Sequence, residues 1–312
     1  MLKESLANEL LLSPGFIELV ARTASYRYKR YEVPKAKGGK RTIYHPAKEL
    51  KALQRWLLRN VLGRLPVHAA AAAYLKGKNI ADHARQHRQC RFLLRVDFQD
   101  FFESIGSGDI ERHLRQFAEF LPPDWEEVDF ELLTSLVCRR SRLTVGSVTS
   151  PALSNTVCWH LDHELTALAE RHGLRYSRYA DDLYFSASEP NVLTGIVTEI
   201  KQVLGNLPYP RFKVNDTKTH HMSHKGRMSI TGIVLPSDLS TGLSVGRTRK
   251  RAIRSLLFDW EKLNPIERRR VRGMLANARS IEPNLINRLV LKYGTFVLEK
   301  LHAAATTEDS GR

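Results

Sequence analysis

Apolar residues along the chain follow two rhythms. Leu50, Leu53, Leu57 and Val61 recur at helical spacing with Trp56 alongside, so a helix is predicted from Lys48 onward. Phe92 to Phe98 (FLLRVDF) is an almost unbroken apolar run, interrupted only by Arg95 and Asp97, as in a buried strand. The same reading predicts helices over 1–30, 108–120, 130–140, 152–171 and 191–204, with Tyr26, Tyr28 and Tyr31 turning the first toward an extended segment. Strands are predicted at 31–34 and 41–45, joined into a hairpin by Gly38-Gly39, and at 175–180 and 183–188 around Asp181 and Asp182. Shorter strands fall at 211–214, 228–235 and 243–245, and the chain from about Thr248 reads as helical and basic.

Between Phe92 and Val214 the order is strand, helix, hairpin, helix, strand, that of a split βαβ, ferredoxin-like sheet. Such a sheet sets the end of its first strand beside the tip of its hairpin. Asp97 ends the first strand and Asp181-Asp182 form the tip, so a gap of 181 − 97 = 84 residues becomes a short distance in space. Adjacent acids repel, and neither favours a strand. A solvated polar turn is the plain reading of the pair. Asp97 resists it, because a buried carboxylate needs a cation or a donor nearby. Three converging carboxylates make an oxygen-rich site suited to Mg²⁺. Two such ions about 3.5–4 Å apart would serve in-line phosphoryl transfer.

Composition indicates the substrate. With 42% hydrophobic and 26% charged residues, the 312-residue chain reads as globular, with room for two or three lobes. No apolar run approaches about 18 residues, so no membrane span is expected. The opening MLKESLANELLLSPGF lacks the pattern of a secretory leader. Cys90, Cys138 and Cys158 are too few and too scattered for a disulfide framework or a zinc ribbon, and suit a reducing cytosol. The formal net charge of +16 and pI near 9.9 point to a polyanionic partner. The excess is clustered: eleven Lys/Arg against two acids from Val20 to Leu57, and fifteen against seven from Leu243 to Arg312. Basic ends around an acid-bearing centre suggest a nucleic-acid channel with metal chemistry at its floor. Ordinary solvated faces are the alternative.

VDFQDFF (96–102), GSVTSPALSN (146–155), YADD (179–182) and KVNDTKT (213–219), in that order, resemble successive blocks of a reverse transcriptase palm. KAKGGKRTIYHP upstream resembles the fingers hairpin of the same enzymes, so the resemblance spans about residues 30–250. It implies an α+β right-hand polymerase fold. Fingers would occupy 1–90 and also 106–143, a ferredoxin-like palm 91–105 and 144–240, and a basic helical thumb 241–312. It implies that Asp97, Asp181 and Asp182 are the catalytic carboxylates holding two Mg²⁺ ions, with the backbone carbonyl of Phe98 also facing a metal. Phe102 would exclude a nucleotide 2′-hydroxyl and so favour dNTPs. Arg41, with Lys35 or Lys37, would hold the triphosphate. Gly146, Ser150 and Pro151 would line the nucleotide pocket, Asn155 would steady it, and Lys218 would stand near the leaving pyrophosphate as a general acid. Solvated faces remain the plain reading of these basic residues. Val145 departs from the pattern, since many relatives carry Gln there.

Two further stretches narrow the family. GKNIADHARQHRQC resembles the NAxxH element of retron reverse transcriptases, with His83 where Asn is usual, and Ile230-Thr231-Gly232 is similar to their VTG element. On this resemblance His83 and His87 contact RNA, core packing being the alternative, and Arg247, Arg249, Lys250, Arg251 and Arg254 contact RNA phosphates from the thumb. It implies a cytoplasmic RNA-directed DNA polymerase that copies part of a cognate structured noncoding RNA into branched msDNA. Priming would come from an internal 2′-hydroxyl of that RNA, and a separate effector protein would act with the enzyme in antiphage defence. Another small bacterial reverse transcriptase, intron-derived or diversity-generating, and a non-enzymatic RNA-binding scaffold stand as alternatives.

Overall fold

The computed structural model describes residues 1–35, 38–238, 240 and 242–302; Lys37 of the expected triphosphate site lies outside the described residues. Helices α1 (Leu2–Leu10) and α2 (Pro14–Arg22) open the chain, the second capped by the Ser13 hydroxyl with Pro14 in its first turn. Strands β1 (Tyr28–Pro34) and β2 (Lys40–Pro46) form the predicted antiparallel hairpin, extended at both ends, with Tyr28 opposite Pro46. Helix α3 (Lys48–Asn60) buries Leu50, Leu53, Trp56 and Leu57, the face that the spacing predicts. There follow α4 (Ile80–Gln86), β3 (Phe92–Asp97), α5 (Ser107–Gln116), α6 (Glu127–Val137), α7 (Ser150–Val157), α8 (Trp159–Arg171), β4 (Arg175–Tyr179) and β5 (Asp182–Ala187). The rest is α9 (Ile196–Asn206), β6 (His220–Ser223), β7 (Ser229–Ile230), β8 (Ile233–Val234), α10 (Arg247–Phe258), α11 (Pro265–Ile281), α12 (Pro283–Tyr293) and α13 (Phe296–His302).

The central sheet runs β4-β5-β3-β6, the ferredoxin-like order, with the β4–β5 hairpin beside β3. Its fourth strand is not the predicted 211–214. That segment makes one bridge, Val214 to Phe98, and sends Phe212 into the core, where its ring stacks 4.7 Å from that of Phe98. The polar β6 pairs instead. It lies at the sheet edge, where the backbone does the pairing and side chains need not be apolar. The predicted helix 152–171 is two helices, broken at Cys158. The predicted strand 228–235 is the minimal hairpin β7–β8, turning on Thr231 (φ 48) and Gly232 (φ 84) as a two-residue hairpin loop with two positive φ angles.

The described chain divides into two compact units. The first comprises 1–77, 94–185 and 191–220; the second comprises 78–93, 186–190 and the chain from His221. This differs from the expectation of three lobes: fingers and palm segments share the first unit, and α4 goes with the C-terminal helices. The cause is local. α4 packs against β7 and β8, and Arg88 just beyond it donates to the carbonyls of Pro236 (3.2 Å) and Asp238 (2.7 Å). No helix among the described residues is long and apolar enough to cross a membrane.

Candidate active site

The site lies in the first unit and begins with the hairpin. Only Ala180 and Asp181 separate β4 from β5, and the turn is tight enough to place Ala180 in the left-handed region (φ 56). The Phe98 amide donates to the Asp181 carbonyl (3.2 Å), the Asn215 amide to the Asp97 carbonyl (2.7 Å) and the Gln99 amide to the Lys213 carbonyl (2.9 Å). These bonds clamp the end of β3 between the hairpin tip and segment 213–215. They bring Asp97, Asp181 and Asp182 together as the topology requires.

Two basic side chains meet the acids. Lys218 Nζ donates to Asp97 Oδ1 at 2.8 Å. Arg95, two residues before Asp97 and so on the same face of β3, donates to Asp182 Oδ1 from Nε (2.9 Å) and Nη2 (2.8 Å). Its Nη2 lies 3.9 Å from Asp97 Oδ2. Asp97 is buried, 3% exposed, and Asp181 and Asp182 are half-buried. Burial, followed by the charge of Asp97, raises the Asp181 carboxyl above the usual range. Burial raises that of Asp182 to about 6, with Asp181 and Asp97 adding to the shift and Arg95 opposing it. Among the described residues no three His, Cys, Asp or Glu groups stand at metal-holding spacing. Lys218 and Arg95 occupy carboxylate oxygens that a divalent cation would use. The donor set nevertheless fits Mg²⁺: hard oxygens, crowded and partly desolvated, whose charge calls for cations.

A cavity of about 530 Å³ opens beside the acids, lined by Lys35, Arg41, Phe102, Asp181 and Lys218 among others. Lys35, Arg41, Phe102 and Lys218 are positions at which the sequence suggests a nucleotide, and Asp181 is one of the expected metal carboxylates. Tyr74, Arg139, Arg140 and Arg142 also line it and were not singled out from the sequence. The run Arg139–Arg142 was legible as charge but reads as the end of a helix. In the fold it is a turn with Arg140 (φ 51) and Ser141 (φ 59) in the left-handed region, and Arg139 lies 3.8 Å over the ring of Tyr44.

Four expected pocket residues stand outside the cavity lining. Gly146 has φ 102, and a Cβ there would lie 2.6 Å from Ile43 Cγ2 and 2.8 Å from the Tyr44 carbonyl oxygen. Glycine is required for the loop to touch β2, where the Tyr44 amide donates to the Val145 carbonyl at 2.8 Å. Ser150 is buried and its hydroxyl donates to the Thr144 carbonyl, while Pro151 stands in the first turn of α7. Asn155 is buried, donating to the Ala73 carbonyl at 2.7 Å. The loop presents Thr144 and Val145 to the cavity instead, and the other four hold it in place.

The histidines need correction as well. His83 and His87 are each 1% exposed in the second unit, so packing replaces the expected RNA contact. Their rings meet edge to face at 5.8 Å, and His87 Nδ1 lies 2.7 Å from the Ser186 hydroxyl. Along α10, Arg247, Arg249, Arg251 and Arg254 are exposed. Lys250 is not free: with Arg288 it bonds the buried Glu282, at 2.7 and 2.6 Å. That pair lines a basic cavity of about 880 Å³ with Lys225, Arg227 and Arg247. Arg249 lies over the β7–β8 turn, and a Cβ on Gly232 would sit 3.3 Å from its Nη2.

The profile of the family described as reverse transcriptase (RNA-dependent DNA polymerase) matches residues 33–235. The retron Ec83 reverse transcriptase of Escherichia coli is 32% identical over 294 residues, covering 92% of this chain and 94% of that protein. The retron Ec73 reverse transcriptase of Escherichia coli is 31% identical over 298 residues, covering 92% and 93%. Among solved structures, apo telomerase from Candida tropicalis aligns with a TM-score of 0.50 at 10% identity, covering 90% of this chain and 57% of that one. That likeness concerns the fold alone.

Proposed function

Since the chain belongs to the retron reverse transcriptases, and so is an RNA-directed DNA polymerase, we propose that it copies part of a cognate structured noncoding RNA into msDNA with two Mg²⁺ ions at Asp97, Asp181 and Asp182. The observation that carries this reading is that Asp97 and Asp182 meet Asp181 at the hairpin tip, and that Asp181 lines one cavity with Lys218, Arg41 and Phe102. When bound, the metal supplies charge stabilisation to the attacking and leaving oxygens. Asp97, Asp181 and Asp182 hold it, together with the carbonyl of Phe98.

The side chains around them prepare the nucleotide. Arg41 and Lys35, exposed at the fingers hairpin, take the triphosphate. Phe102 closes the space that a 2′-hydroxyl would need. Lys218, whose side chain is 57% exposed, leaves Asp97 to donate a proton to the departing pyrophosphate. Exposed arginines of α10 hold RNA phosphates, with a steep dependence on salt. Priming from an internal 2′-hydroxyl of the RNA, a cytoplasmic location and action with a separate effector in antiphage defence complete the reading. They rest on family membership.

The test is to isolate nucleic acid from cells expressing the protein with its upstream locus. A branched RNA–DNA species is expected, and it should vanish with Asp181→Asn. Primer extension by that variant should fall roughly a thousandfold, several kcal/mol of lost charge stabilisation. An unchanged species would refute the site.

A further inference from the structure

Tyr74 is an odd residue in the first unit. Ala71, Ala72 and Ala73 before it are buried, yet Tyr74 is 52% exposed and lines the cavity with Arg41, Phe102 and Asp181. Its backbone is left-handed (φ 61), a conformation that bulky side chains avoid and that persists only where the surroundings force it.

The forcing contacts can be named. The Arg178 amide donates to the Ala70 carbonyl and the Ala72 amide to the Arg178 carbonyl, both at 2.8 Å, and Asn155 Nδ2 donates to the Ala73 carbonyl at 2.7 Å. The strap 70–73 is thereby fastened to β4 and α7. Arg178 is itself immobile: fully buried, it bonds Asp162 through Nε (2.8 Å) and Nη2 (2.7 Å), and its Nη1 reaches Asn155 Oδ1 and the Ala180 carbonyl, both at 3.3 Å. Arg178 therefore holds the strap through its backbone, and through its guanidinium both Asn155 and the tip that carries Asp181. Beyond Ala73 the chain turns through the strained Tyr74 and exposes its ring to the cavity. Burial and the nearby Asp181 raise its hydroxyl pKa, which leaves it neutral and able to donate. Val145, on the same cavity wall, offers no side-chain donor or ring.

An aromatic ring half exposed in a cavity gains contact when a planar group enters. We propose that Tyr74 is a substrate-touching residue whose ring stacks on the base of the incoming nucleotide, with Asn155, Arg178 and Asp162 as the residues that position it. This rests on the reading of the cavity as the nucleotide site. Base–aromatic stacking is sequence-tolerant and strong enough to set substrate affinity.

Steady-state primer extension with each dNTP in turn tests the inference, using Tyr74→Ala, Tyr74→Phe and wild type, with thermal melting as a check on folding. Tyr74→Ala should raise KM about tenfold, within the range that stacking supports, and more for dATP and dGTP than for the smaller pyrimidines. Its kcat should stay within about threefold, the split expected when binding and not the chemical step is lost. Tyr74→Phe keeps the ring and should restore KM. An unchanged KM in Tyr74→Ala, or an equal rise in Tyr74→Phe, overturns the proposal. Full activity in Asp181→Asn would instead remove the site reading beneath it. An inactive Asp181→Asn beside a Tyr74→Ala enzyme of wild-type KM removes only the role of Tyr74.

Discussion

Asp162 and Asp97 are both buried carboxylates bonded to a basic side chain, but they stand in opposite kinds of place. Asp162 and Arg178 lie under the hairpin with both side chains 0% exposed, in a two-point bond with Tyr176 also donating at 2.8 Å. Asp97 is 4% exposed by its side chain, while its partner Lys218 is 57% exposed. Neither partner of the first pair can leave without stranding a charge. The second can exchange its ammonium for another cation at little cost. The floor is fastened so that the tip can be exchangeable.

The largest effect should come from breaking the floor. Asp162→Ala strands the Arg178 guanidinium and should lower unfolding free energy by about 3–5 kcal/mol in urea titrations. Replacing both partners by apolar residues, Asp162→Leu with Arg178→Met, should lose much less. Equal losses would mean that packing, and not charge, sets the effect. Lys218→Ala probes the tip. Loss of a general acid should slow single-turnover incorporation about a hundredfold or more. Arg95 stays 3.9 Å from Asp97 when Lys218 is removed, so the loss of stability should be smaller than that of Asp162→Ala.

Asp182 sharpens the contrast through pH. Its folded pKa of about 6 lies above the ordinary carboxylate value of about 4, so the folded chain holds the proton more tightly. That stability is present below about pH 4 and is lost as pH rises through the window from about 4 to 6. Metal-free Asp182→Asn should therefore be more stable than wild type near pH 7.5 by about 2 kcal/mol, with the gain gone near pH 4. Asp162→Asn should be less stable at both. A loss in Asp182→Asn at neutral pH would place the tip with the floor. The smallest effect belongs to the second unit: Arg247→Ala, Arg251→Ala and Arg254→Ala should each flatten the salt dependence of RNA binding by about one unit of slope. Lys250→Ala should differ by costing stability, since Lys250 serves Glu282.

Much of this was legible along the chain, and the exceptions share a cause. The hairpin around Gly38-Gly39, the apolar face of α3, the FLLRVDF strand and the Asp pair at a turn follow from local pattern, because each depends on neighbours a few residues away. The edge strand β6 (HHMS) carries no apolar alternation, since backbone pairing alone holds it. The break at Cys158 lacks a Gly or Pro to announce it. For His83 and His87 the residue types leave RNA contact and core packing both open, and only the packing of α4 shows that they are interior. Tyr74 was invisible for a similar reason: a tyrosine after five alanines reads as core until its backbone angle and cavity are seen.

The sequence by itself determined most of the elements from β1 to β5, the basic character of the ends, the acids at positions 97, 181 and 182, and through its ordered motifs the family. These are properties of residue type and short-range spacing. Tertiary structure alone decided that Arg95 and Lys218 stand on those acids, that Asn155 and Ser150 support the pocket without lining it, that Lys250 is committed to Glu282, and that Arg178 holds strap and tip together. Each of these is a contact between residues distant in sequence. A long side chain such as Arg or Lys carries no mark of which of many carboxylates it will meet until the backbone has fixed the distance.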